Sequence, residues 1–131
     1  MPRAASNQVL GILGESIACD ELTRRGYAIL ARRYRTRFGE IDIVAERGET
    51  TVFVEVKARR SGRQGMAAEA IPVWKRRRIA AMALDYLARA GRLHRRCRFD
   101  VVAIDRAGSD GQRTTVIEDA FRPGDWGGGW S

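Results

Sequence analysis

A single histidine and two cysteines in 131 residues narrow the chemistry before any motif is considered. Cys19 and Cys97 are too few and too far apart in the chain for a zinc cluster, and they read as buried free thiols of a reducing compartment. His94 sits in the basic stretch Arg92-Leu93-His94-Arg95-Arg96, so a histidine-built metal site is excluded as well. No run of about 18 apolar residues is present, and residues 1–7 lack the apolar stretch of a signal peptide. Transmembrane and secretory readings fall away, and the cytoplasm is the expected compartment. Lysine is scarce too: of 24 Lys+Arg, only Lys57 and Lys75 are lysines. Arginine stays protonated whereas the pKa of lysine follows its surroundings, so these two positions are candidates for chemistry. Catalysis is left to carboxylates, lysine and arginine.

What is present is the composition of one ordinary domain, 44% hydrophobic and 31% charged, with a formal net charge of +8 and a pI near 10.7. Such a balance makes a polyanion the first partner to consider. The charge is uneven: residues 59–98 hold 12 Lys+Arg against 2 Asp+Glu, and the acids collect before that stretch. A solvated arginine-rich face is the plain alternative, and charge alone names no activity.

Periodicity orders the chain. Leu10, Leu13, Ile17, Ala18 and Leu22 follow helical spacing over residues 7–25, with Gly26 as a stop and Glu15 at the edge of the apolar stripe. Residues 27–35, 38–46 and 50–59 are rich in strand formers, with Arg47-Gly48-Glu49 as a turn. Alternation puts Ile41, Ile43 and Ala45 on one face of the second strand, and Val52, Val54, Val56 and Ala58 on one face of the third. The hairpin thus reads as core on one side and charged on the other. Residues 61–71 read as a loop. A helix from Pro72 carries Ile79, Met82, Ala83, Tyr86, Leu87 and Ala90 at helical spacing and ends at Gly91. Residues 97–105 read as a strand buried on both faces, residues 114–118 as a shorter strand, and residues 123–131 as a flexible Gly/Trp tail in which Trp126 or Trp130 is available to stack on a base. The order α, β, β, β, α, β, β fits one α/β domain on a mixed sheet, residues 1–122.

One constellation carries chemistry. In Glu55-Val56-Lys57 the two charged side chains project together from a strand. If Glu46 faces Thr51, paired residue numbers sum to 97 and Asp42 faces Glu55, with Cβ atoms about 5 Å apart. Two facing carboxylates repel unless a cation separates them or one takes a proton. A hard divalent ion suits the gap, and magnesium needs few protein carboxylates because it keeps its waters. An ordinary charged hairpin is the competing explanation; Glu15 on the preceding helix and the full order of the blocks weigh against it.

Gly14-Glu15, Gly26-Tyr27-Ala28-Ile29-Leu30, Phe38-Gly39-Glu40-Ile41-Asp42-Ile43-Val44-Ala45, Val52-Phe53-Val54-Glu55-Val56-Lys57 and Arg98-Phe99-Asp100-Val101-Val102 resemble the motifs of the bacterial YraN family, an uncharacterised group similar to archaeal Holliday-junction resolvases of the PD-(D/E)xK superfamily. The resemblance spans residues 9–122. It implies a restriction-endonuclease-like fold with an αβββαβ core in a mixed β-sheet flanked by helices. Carried over by position, it implies Asp42 and Glu55 as ligands of Mg²⁺ or Mn²⁺ with the Val56 carbonyl, Glu15 as a further acid acting directly or through water, and Lys57 as the residue that orients or deprotonates the attacking water. Ile41 stands where the superfamily signature has proline, as in resolvase-like variants. Arg33 stands where the family usually has asparagine. Glu40 is a reserve ligand, and Glu69 also fits the family pattern.

The basic residues Arg59, Arg60, Arg63, Lys75, Arg76, Arg77 and Arg78 then read as contacts to a phosphate backbone, and Lys75, four residues before Ile79, lies on the inward stripe of its helix, from which it can reach the site. The expected activity is metal-dependent endonucleolytic hydrolysis of nucleic acid, foremost structured or branched DNA. A substrate with two scissile strands would suit a homodimer. The alternative is a catalytically silent nucleic-acid-binding module of the same fold; a basic protein with an acidic protein or the ribosome as partner is a third class.

Overall fold

The computed structural model describes residues 3–60 and 71–122. It contains α1 (Arg3–Arg24), β1 (Ala28–Thr36), β2 (Gly39–Arg47), β3 (Thr50–Ala58), α2 (Val73–Arg89), β4 (Arg96–Asp105) and β5 (Arg113–Phe121), in the order expected from periodicity. Arg63, Glu69 and the tail 123–131 lie outside the described residues. The strands form one mixed sheet in sequence order; β3 and β4 pair in parallel through the α2 crossover and the other neighbours are antiparallel. Among the described residues no helix is long and apolar enough to cross a membrane.

The expectation of a one-sided hairpin is corrected. Ile41, Val44, Phe53, Phe99, Val101 and Phe121 pack with Ile79, Met82, Ala83 and Leu87 of α2 in one core. Ile43, Ala45, Val52, Val54, Val102 and Ile104 pack with Ala18, Cys19 and Leu22 of α1 in the other. Phe53, assigned by alternation to the charged face, is 1% exposed. The face is apolar along the first half of β3 and charged only at its C-terminal end, where Glu55 and Lys57 project. Strand β4 is buried on both faces as expected. Both cysteines are free, and burial pushes the Cys97 thiol up to about 11.

Gly14 sets how closely α1 approaches the sheet. A Cβ there would lie 2.7 Å from the Ala58 Cβ, closer than two carbons tolerate, so glycine lets the helix lie against the end of β3. Strand β5 runs three residues beyond the expected Glu118 because the chain passes through Asp119 at φ 52 and a register shift before resuming its pairing at Phe121. Propensity alone reads such a break as an end.

Pairing between β2 and β3 follows the sum of 97 from Arg47↔Thr50 to Ile43↔Val54. There the ladder opens, one step short of the expected Asp42–Glu55 pair. The Val56 N–H donates to Asp42 Oδ2 at 2.8 Å, while β3 stays paired with β4 as far as Ala58↔Ile104. Ile41 and Ile43 pack in opposite cores, so the period-two alternation breaks at Asp42. Across from it on β1, Arg33 has φ 51, a left-handed conformation uncommon outside glycine and asparagine. The two strands part at the C-terminal end of β3, and the charged side chains occupy the opening.

Candidate active site

Four elements meet at this opening: Asp42 comes from β2, Glu55 and Lys57 from β3, Lys75 from the first turn of α2, and Glu15 from α1. The Lys75 Nζ lies 2.9 Å from Glu55 Oε1 and the Lys57 Nζ 3.5 Å from the same oxygen. Glu55 is largely buried, with 16% of its side chain exposed, and both lysines retain access to solvent. Burial and the neighbouring Glu55 push the Asp42 carboxyl up to about 7; Glu15 adds to the rise, and the Val56 N–H and Lys75 oppose it. Loss of hydration first, and the negative charge of Glu55 second, therefore keep the carboxyl from ionising as an aspartate normally does.

The two lysines diverge. Burial, and then the adjacent Lys75, lower the pKa of Lys57 against the pull of Glu55. Burial opposes charging of Lys75 as well, but its contacts with Glu55, Lys57 and Asp42 more than offset that cost and raise its pKa. Two amines around one carboxylate thus divide into a firmly charged one and one that releases its proton more readily.

Glu15 reaches the neighbourhood of Asp42 but is engaged elsewhere: the Arg33 Nε donates to its Oε1 at 2.6 Å. Among the described residues no three His, Cys, Asp or Glu side chains gather as a ready ligand set. The carboxylates brought together are Asp42 and Glu55, and their mutual repulsion fits a hard divalent ion, with Val56 beside them on β3. Glu40 pairs with Arg35 at 3.2 Å and is 37% exposed, the behaviour of a surface acid.

The expected phosphate contacts differ in exposure. Arg59, Arg60, Arg77 and Arg78 are exposed. Arg76 is used by the fold: its Nε donates to the Ile71 carbonyl at 2.9 Å and its guanidinium stands 5.8 Å from the Phe121 ring centre. Sequence reading placed Lys75 among the phosphate contacts and on the inward stripe of its helix; the structure places it directly on Glu55. It missed the Arg33–Glu15 pair, for which the departure from asparagine at Arg33 was the available signal.

Known proteins match this chain over the same elements. A UPF0102 protein of Symbiobacterium thermophilum is 48% identical over 113 residues, 86% of this chain and 95% of the relative. One of Geobacter sulfurreducens is 44% identical over 115 residues, 88% of this chain and 90% of the relative. One of Rhodococcus jostii is 43% identical over 117 residues, 89% of this chain and 99% of the relative. The family model of UPF0102 matches residues 14–104, which include Glu15, Arg33, Asp42, Glu55, Lys57 and Lys75. The chain belongs to this YraN-like group, the uncharacterised protein family UPF0102.

Proposed function

We propose that the chain is a metal-dependent nuclease that hydrolyses phosphodiesters of nucleic acid, foremost structured or branched DNA, on a restriction-endonuclease-like αβββαβ core. The observation that carries the reading is the buried Asp42 carboxyl, pushed up to about 7 beside Glu55, together with two lysines at the splayed end of a strand. Asp42, Glu55 and the Val56 carbonyl would hold Mg²⁺ or Mn²⁺, which when bound supplies Lewis-acid activation of water and of the phosphoryl oxygens. Lys57, with its lowered pKa, takes a proton from the attacking water. Lys75 stays charged and offsets the negative charge that grows on the phosphoryl oxygens in the transition state. Arg59, Arg60, Arg77 and Arg78 position the backbone without reading bases.

The test is cleavage of a labelled panel of single-stranded, duplex, flap and four-way DNA and of RNA, with Mg²⁺ or Mn²⁺ added. Asp42→Asn and Lys57→Ala are expected to lower the cleavage rate by at least about 100-fold while remaining folded. Wild-type rates in both variants would overturn the assignment.

A second reading, a catalytically silent nucleic-acid-binding module, draws on the ion pairs themselves. Lys75 already supplies a cation to Glu55, and Arg33 supplies one to Glu15. That reading predicts salt-sensitive binding with no metal-dependent cleavage, and binding that Glu55→Gln leaves intact.

A further inference from the structure

Two aromatic rings stand exposed on the surface leading away from the candidate site, each with an arginine over it. Phe38, in the β1–β2 turn, is 41% exposed, and the Arg37 guanidinium lies 4.8 Å from its ring centre. Trp74, in the first turn of α2, is 59% exposed, and the Arg78 guanidinium lies 5.0 Å from its ring. Gly39 links them: a Cβ at that position would lie 3.7 Å from Arg78 Cδ and 3.4 Å from Met82 Sδ, so the hairpin turn rests against the helix at the arginine that covers Trp74. Trp74 directly precedes Lys75, whose Nζ contacts Glu55. Beside Phe38 opens a groove of about 460 Å³ lined by Arg37, Phe38, Ala81, Leu84, Asp85 and Arg89.

A large aromatic side chain left in water forgoes the burial that would stabilise it, and two of them backed by arginines make a surface for a flat, apolar and negatively charged partner. A nucleobase with its phosphate has that chemistry. In continuous duplex the base faces are hidden by their neighbours, so ring faces such as these engage only bases that are unpaired. The groove is within the size range of small-molecule sites and offers an apolar floor with charged edges.

We infer that this aromatic–arginine surface binds unpaired nucleotides, so that the nucleic acid recognised carries a single-stranded or frayed segment beside the candidate site. The inference rests on the nucleic-acid reading above and adds the substrate class. Stacking is sequence-tolerant because every base has a π-face, which matches a surface of arginines and rings with little to read base edges.

The experiment is fluorescence anisotropy of the full chain with a labelled oligothymidine and with a labelled duplex of equal length, in chelator so that nothing is cleaved. The double variant Phe38→Ser/Trp74→Ser is expected to bind the single strand at least about 30-fold more weakly and the duplex within about two-fold of wild type. Phe38→Tyr/Trp74→Phe, which keeps the rings, is expected to retain single-strand affinity. Equal losses on both probes, or no loss on the single strand, overturn the inference and leave the nuclease reading standing. Failure of the wild type to bind either probe overturns the inference, and the cleavage panel then decides the nuclease reading by itself. Ring-dependent binding without cleavage of any panel substrate supports the inference and overturns the nuclease reading.

Discussion

At Asp42 two demands conflict. The carboxylate accepts the Val56 N–H, which favours the ionised form, yet it is buried beside Glu55, which favours the protonated one, and the outcome is a carboxyl pushed up to about 7. An unfolded aspartate titrates near 3.8. Between these values the folded chain holds a proton that the unfolded chain has lost, so stability contributed at low pH declines as pH rises from about 4 through 7. Asp42→Asn keeps an acceptor for Val56 and removes the charge. The variant is expected to melt above wild type at pH 8, by a difference on the order of a few kcal/mol, with the two converging near pH 4. Thermal denaturation at a series of pH values checks this, and a variant no more stable than wild type at pH 8 would contradict the repulsion. Under the metal reading, Mg²⁺ at pH 8 raises the melting temperature of wild type and not of the variant.

Arg33 bears on the same site from outside. Its φ of 51 is a conformation asparagine adopts more readily, and its side chain occupies Glu15. Arg33→Asn is expected to leave the metal-free melting temperature little changed and to free Glu15 toward Asp42. A Mn²⁺ titration followed by thermal shift should then reach its midpoint at lower concentration than in wild type. An unchanged or higher midpoint would show that Glu15 takes no part in ion binding.

Among the elements, the Arg98-Phe99-Asp100 block serves the fold. Asp100 is fully buried and accepts from Tyr27 Oη at 2.9 Å, Arg98 Nε at 3.0 Å and the Asp119 N–H at 2.9 Å. It thereby fastens the bulge of β5 and the chain leaving α1 to β4, and burial, followed by the nearby Asp100, raises the Tyr27 pKa. Asp100→Ala strips a buried ion pair of one partner and is expected to cost about 3–5 kcal/mol; Tyr27→Phe, which removes one hydrogen bond, about 1–2 kcal/mol. Urea denaturation measures both. The α2 stripe and the β2–β3 register were legible because helical spacing and a closed turn fix them locally. The second buried face of the hairpin was not: Val44 and Phe53 depend on a helix that arrives only after β3. The Arg33–Glu15 pair was equally hidden, since it joins residues of two elements through a backbone conformation that the arginine side chain does not announce.

Over the whole molecule, the described basic residues between 59 and 98 do not form one surface. Arg92, Arg96 and Arg98 stand at the start of β3 and Arg59 leaves its end, and Thr51 and Lys57 stand about 20 Å apart at strand spacing. At the far end Arg92 and Arg95 both pair with Glu46, Arg92 also donates to Thr51 Oγ1 at 3.1 Å, and Arg98 pairs with Asp100 and Glu118. These cations answer acids of the chain itself. At the near end Arg77 and Arg78 are exposed beside the candidate site. A phosphate backbone releases counterions only where the protein presents available positive charge, with a log–log salt slope of about −0.9 per contact on duplex DNA. Arg77→Ala/Arg78→Ala is therefore expected to make the slope shallower by roughly 0.9 for each contact removed and to leave the melting temperature near that of wild type. Arg92→Ala is expected to do the reverse, lowering the melting temperature while the slope stays fixed. Binding isotherms over a range of salt, read beside melting curves of the same variants, separate the two. A slope that responds to Arg92 and ignores Arg77 and Arg78 would move the nucleic-acid face to the opposite end of the sheet, away from Asp42 and Glu55, and the proposed site would lose its substrate.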